Sequence, residues 1–111
     1  MYRLYDFNFC FIEECKTFKV KNFSGIAENT VAKSKYWITN GVVHRNEILG
    51  PAIEYASGKK IWLTDGKYHR INGPAVEIPN GKKMWFLHDE ECTKEQHELF
   101  VDLLKLKGLL T

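Results

Sequence analysis

Cysteine is scarce in this chain, long apolar runs are missing, and no nucleotide-binding loop occurs. Cys10, Cys15 and Cys92 are the three cysteines among 111 residues. An odd, widely spaced set makes no disulfide framework, so a reducing cytoplasm is the expected compartment, a host's cytoplasm if the protein is viral. Cys10 and Cys15 also stand at no spacing that the histidines complete into a zinc site, and no metal or other cofactor is expected. No apolar run approaches the ~20 residues of a membrane-spanning helix. Asp6 falls where a signal peptide keeps its stretch apolar, so neither export nor membrane association is expected. Phosphate-loop and dinucleotide fingerprints are missing, and no nucleophile has a patterned base beside it, so an enzyme is not expected.

What is present suits one globular domain spanning residues 1–111: 44% hydrophobic, 27% charged and an aromatic share of 14%. The net charge of +2 is unevenly spread. Residues 33–87 carry nine bases against four acids, whereas residues 88–111 carry three lysines against six acids. A basic middle and an acidic tail can steer a charged partner.

The chain repeats itself. Trp37-Ile38-Thr39-Asn40-Gly41-Val42-Val43-His44-Arg45 aligns with Trp62-Leu63-Thr64-Asp65-Gly66-Lys67-Tyr68-His69-Arg70 at an offset of 25. Gly50-Pro51-Ala52-Ile53-Glu54 aligns with Gly73-Pro74-Ala75-Val76-Glu77 at an offset of 23, and Gly58-Lys59-Lys60-Ile61-Trp62 with Gly81-Lys82-Lys83-Met84-Trp85. Gly25-Ile26-Ala27 stands in register with Gly50-Pro51-Ala52, so residues 1–32 read as a worn first repeat or cap. After Trp85, His88-Asp89 replaces the Asn-Gly and Asp-Gly pairs, and the series is expected to stop there.

Asn40-Gly41 and Asp65-Gly66 suit two-residue type I′ turns, because both positions demand positive φ. Ser57-Gly58 and Asn80-Gly81 supply a second set, and Pro51 and Pro74 should open strands, since proline cannot donate to a ladder. Strands are expected near 34–39, 42–46, 52–56, 59–64, 67–71, 75–78 and 82–87, with two more within 2–11 and 17–23. Short connections make these a single antiparallel meander of stacked hairpins. The tail is helical over 93–108: Thr93 and Gln96 form a capping box, and Gly108 follows the last turn. Leu99, Phe100, Leu103, Leu104, Leu106 and Leu110 form a stripe that should cap the sheet. The fold class is mainly β with a carboxy-terminal capping helix.

The unit W-x-x-[ND]-G-x-x-H-R…G-P-A-x-E…G-K-K across residues 33–91 resembles the MORN-like hairpin repeats of small phage and large-virus proteins. More distantly it is similar to MORN-repeat antitoxins. The resemblance implies a non-catalytic binding module, phage-encoded, that inhibits a host protein such as a defence or toxin effector. Trp37, Trp62 and Trp85 should form one row, read as core. Each His-Arg pair alternates across the sheet, with the arginine set to meet Glu54 or Glu77 and the histidine a turn carbonyl. The candidate partner-binding residues are His44, Arg45, His69 and Arg70, with Lys59, Lys60, Lys82 and Lys83 as a basic rim that meets an acidic host surface. On this reading Arg45→Glu with Arg70→Glu weakens binding without unfolding. A nucleic-acid binder using the same basic aromatic face is the first alternative, and a small-ligand site or enzyme the second. The protein is expected as a monomer or an edge-paired homodimer.

Overall fold

The computed structural model describes residues 1–15 and 22–108. Their order is β1 (Tyr2–Tyr5), β2 (Phe11–Cys15), β3 (Gly25–Asn29), β4 (Lys35–Thr39), β5 (Val42–Val43), β6 (Ile53–Glu54), β7 (Lys60–Ile61), β8 (Leu63–Thr64), β9 (Lys67–Tyr68), β10 (Val76–Glu77), β11 (Lys83–Leu87), β12 (Glu90–Cys92) and α1 (Lys94–Leu106). The expected architecture is present: a large antiparallel sheet closed by one carboxy-terminal helix. Its order is β12-β11-β10-β7-β6-β4-β3-β1-β2, with β5 on β4 and β8-β9 as a separate hairpin. From β4 onward the main sheet runs in chain order as the expected meander does, but β5, β8 and β9 leave its path, so that β4 pairs with β6 and β7 with β10. At the amino end β1 lies between β2 and β3, so the first hairpin projects outward to the sheet edge.

Turn chemistry sets the spacing of the hairpins. Asn40 and Gly41 have φ of 49° and 78°, and Asp65 and Gly66 have 53° and 79°, as a type I′ turn requires. His88 and Asp89 adopt 49° and 70°, so the series does not stop at Trp85 but turns once more into β12. Asparagine, aspartate and histidine tolerate positive φ better than most residues, and only the missing glycine concealed this third turn. The second set differs. Gly58 N–H donates to Tyr55 O and Gly81 N–H to Ile78 O, and both glycines have φ near 100°, a type I turn completed by a glycine bulge.

Alternation gives the sheet two unlike faces. One cross-strand row, Leu4-Ala27-Tyr36-Ile53-Ile61-Val76-Met84, faces the core. The strand expected over 59–64 breaks at Trp62, where the chain leaves the main sheet. Beyond that bend Leu63 packs back with Val43 and Phe86 onto Ile53, Ile61 and Val76. The opposite face carries Ile26, Trp37, Ala52, Trp62, Ala75 and Trp85. Trp37 N–H donates to Ala52 O at 2.8 Å and Trp62 N–H to Ala75 O at 2.7 Å. Ala52 and Ala75 are fully buried there, whereas the fully buried Ala27 lies in the core-facing row and Ile26 stands across from Trp37, so the worn first copy does not keep the small residue of this face.

Three strands, β2, β3 and β12, were not anticipated. The strand expected within 17–23 falls largely outside the described residues, and Asn22 and Phe23 are not in a strand. The helix starts at its capping box, with Gln96 N–H donating to Thr93 Oγ1 at 3.0 Å and Thr93 N–H to Gln96 Oε1 at 2.9 Å. Its stripe seats differently from expectation. His97 is buried and Phe100, Val101 and Leu104 are half-buried, whereas Leu99, Leu103 and Leu106 are 62%, 46% and 83% exposed. Leu110 lies outside the described residues. Among those residues, no helix is long and apolar enough to cross a membrane.

Candidate functional site

Each His-Arg pair divides its two side chains between two structural tasks. The Arg45 guanidinium lies 4.0 Å from the Trp37 ring centroid, and Arg70 lies 3.7 Å from that of Trp62. Arg45 Nη1 donates to Pro51 O at 3.1 Å and Arg70 Nη1 to Pro74 O at 3.2 Å. The same atoms meet Glu54 at 3.7 Å and Glu77 at 3.2 Å. Glycine leaves the room for this: a Cβ on Gly50 would stand 2.7 Å from Arg45 Nη1, and one on Gly73 3.2 Å from the Arg70 guanidinium. The motif W…H-R…G-P-A-x-E is therefore one physical unit, an indole clasped by a guanidinium that also ties a loop carbonyl and a glutamate.

The histidines tie each hairpin to the next one. His44 Nδ1 accepts the Asp65 N–H at 2.9 Å, and His69 Nδ1 accepts the His88 N–H at 3.1 Å. In the first copy Ser24 Oγ accepts the Asn40 N–H at 2.9 Å. The expected carbonyl partner is thus replaced by a backbone donor, because the first residue of a type I′ turn points its N–H back at the preceding repeat. Accepting at Nδ1 places the ring proton on Nε2 of both rings. His69 is buried and stacks on His88 with centroids 4.2 Å apart. Burial, and then the neighbouring His88, hold its pKa below the ordinary histidine value, with Glu47 opposing and His97 adding to the shift. His97 Nε2–H donates to Arg70 O at 2.7 Å and anchors the helix. Glu47 accepts the N–H groups of Ile71 and Asn72 at 3.0 to 3.1 Å.

The lysine pairs do not build a basic stripe. Register places Glu14, Arg3, Glu28, Lys35, Glu54, Lys60, Glu77 and Lys83 directly across from one another, so the signs alternate over eight adjacent strands. Lys60 and Lys83 belong to this row. Lys59 lies with its ammonium 5.6 Å from the Tyr55 ring, and Lys82 is exposed beside the turn at Gly81. Nor are the indoles free to stack bases. Trp37 and Trp62 are 7% and 6% exposed, each with its guanidinium in place, and Trp85 is half-buried.

Sequence reasoning overlooked an apolar groove. Phe7, Trp37, Thr39, His44, Arg45, Asn46 and Leu49 enclose about 470 Å³ between the β1–β2 turn and the loop after Arg45. Phe7, Ile48 and Leu49 are 52%, 82% and 70% exposed. Both flanking turns are pinned by an acceptor side chain: Asp6 Oδ1 receives the N–H groups of Asn8 and Cys10, and Asn46 Oδ1 that of Ile48. The available signal was a pair of large apolar residues, Ile48-Leu49, inside a loop bounded by Asn46 and Gly50, where polar residues are the norm.

Among the described residues no group of three histidine, cysteine or acidic side chains is placed to hold a metal ion. The three thiols are free. Burial, with Glu91 adding to it, pushes the Cys92 thiol up, so it stays protonated and unreactive at neutral pH. No protein-family model, curated protein or solved structure matches this chain.

Proposed function

We propose that this protein is a non-catalytic protein-binding module, an accessory factor of phage type that binds and blocks a host protein such as a defence or toxin effector in the host cytoplasm. One observation carries this reading: two side-chain-pinned turns hold Phe7 and Leu49 exposed on the wall of one groove, with the exposed Ile48 next to Leu49 in the chain. Large apolar side chains gathered on fixed loops lose little conformational entropy when a partner covers them. Covering such a side chain contributes on the order of 1–2 kcal/mol, offset in part by the cost of association. The resemblance of the repeat to phage and large-virus hairpin proteins supports the accessory role, and free thiols suit a reducing compartment.

The contact surface we infer centres on the apolar side chains and takes in only His44 and Arg45 from the basic face of His44, Arg45, His69 and Arg70. Those arginines are spent on Trp37, Trp62, Glu54 and Glu77, so a charge reversal there attacks the fold. The decisive variant is Phe7→Ser with Ile48→Ser and Leu49→Ser. It should melt at the temperature of the parent, because all three side chains are already exposed, yet lose the host protein that the parent retains in affinity capture. Retention of every captured protein by the folded variant would remove the groove as the contact.

A further inference from the structure

Trp37 and Trp62 each hold an arginine that follows eight positions later in the chain. Trp85 occupies the same row, but the residue eight positions on is Thr93, which caps the helix. Among the described residues the cation–ring contacts fall on Tyr5, Phe9, Phe11, Trp37, Tyr55 and Trp62, and none falls on Trp85. The half-buried Trp85 instead lines an open groove of about 630 Å³ between the loop at Gly73-Pro74 and α1. Glu98 and Asp102, one helical turn apart, stand on the helix wall.

We propose that this groove is a binding site for an arginine side chain presented by a protein partner, the guanidinium taking over Trp85 the place that Arg45 and Arg70 take over Trp37 and Trp62. The chemistry matches part for part. An indole face offers the cation–π surface, and a carboxylate of Glu98 or Asp102 offers what Glu54 and Glu77 offer in the earlier copies. Lys83, Lys94 and Lys105 also border the groove. Lys83 stands opposite Glu77 in the charge row, and all three are exposed. An ammonium is more strongly hydrated than a guanidinium and lacks its planar fork, so lysine is the poorer occupant of an indole face. This inference rests on the protein-binding reading only for the source of the arginine, and it concerns a surface other than the Phe7–Leu49 groove.

The test uses a short Gly-Ser peptide with one central arginine, titrated into the whole protein while the three indole N–H resonances are followed by NMR. The Trp85 indole should shift saturably, with those of Trp37 and Trp62 unmoved. A lysine peptide should bind several-fold more weakly, and a citrulline peptide should leave the resonance in place. Glu98→Gln with Asp102→Asn, two exposed positions whose replacement leaves the fold intact, should weaken arginine binding several-fold, and Trp85→Phe should weaken it further. An unmoved Trp85 resonance, an equal response to citrulline, or unchanged affinity in the double variant would overturn the assignment. So would preferential binding of a matched glutamate peptide. Because the ligand is a free peptide, this outcome is independent of whether any host protein engages the other groove.

Discussion

Arg45 and Arg70 each meet three demands at once: they cover an indole, they donate to a proline carbonyl, and they neutralise a glutamate. Such a residue is poorly replaced by lysine, whose single ammonium cannot stack and reach two acceptors together. Arg70→Lys and Arg70→Met should each destabilise the protein by about 2 kcal/mol, the size of a stacking contact plus one charge-assisted hydrogen bond. Arg70→Glu, which faces Glu77, should lose more. Urea titration of the three variants checks this order; equal stability of Arg70→Met and parent would mean that only the aliphatic stem matters. The pairing of arginine with glutamate was legible in the repeated H-R…G-P-A-x-E spacing. That the indole lies beneath the guanidinium was not, because the ring and the cation meet across the sheet face rather than along a strand.

At the level of the strand, electrostatics follows register. Lys60 stands between Glu54 and Glu77, and Lys35 between Glu28 and Glu54. Opposite charges in directly facing positions each add a few tenths of a kcal/mol and help to fix the register, because a slip also carries the apolar rows to the wrong face. Lys60→Glu should therefore cost about 1 kcal/mol at low salt by placing three carboxylates in a line, and added salt should recover part of it by screening. Lys60→Gln should cost less and respond weakly to salt. Denaturation midpoints at two ionic strengths decide this. Read along the chain, Lys59-Lys60 and Lys82-Lys83 look like a basic rim. Their neutralising partners come from strands that only the pairing brings alongside. The helix carries the same lesson: its capping box could be read from Thr93 and Gln96, but the seating of His97 on Arg70 O turns Leu99, Leu103 and Leu106 outward.

The whole molecule is elongated, 46 × 31 × 21 Å, with a radius of gyration of 15.3 Å against about 13 Å for a sphere-like chain of this length. Side-by-side hairpins lengthen a sheet without thickening it, so contacts between neighbouring repeats bear much of the stability. His69 is one such contact, and it sets a pH dependence. Its pKa is lowered in the folded state, mainly by burial, so the unfolded chain binds the proton more readily. The stability it contributes is complete above the ordinary histidine value of 6.5. It is lost as pH falls below that value towards the lowered folded-state pKa. Protonation would also remove the Nδ1 lone pair that accepts the His88 N–H. Stability should fall as pH drops below the ordinary histidine value of 6.5, and His69→Gln, whose Oε1 can still accept that bond, should flatten the slope. An unchanged slope in His69→Gln would assign the pH dependence to other groups.

The sequence by itself determined the local architecture: hairpins at Asn40-Gly41 and Asp65-Gly66, strand alternation and the capped helix. Each rests on φ preferences and hydrogen bonds that act within a few residues. The tertiary structure alone decided which cations are occupied, which indole is left open and where apolar side chains stay uncovered. Burial and stacking depend on which strands and loops the fold lays alongside one another, and a side chain's availability is fixed by what the assembled sheet lays over it.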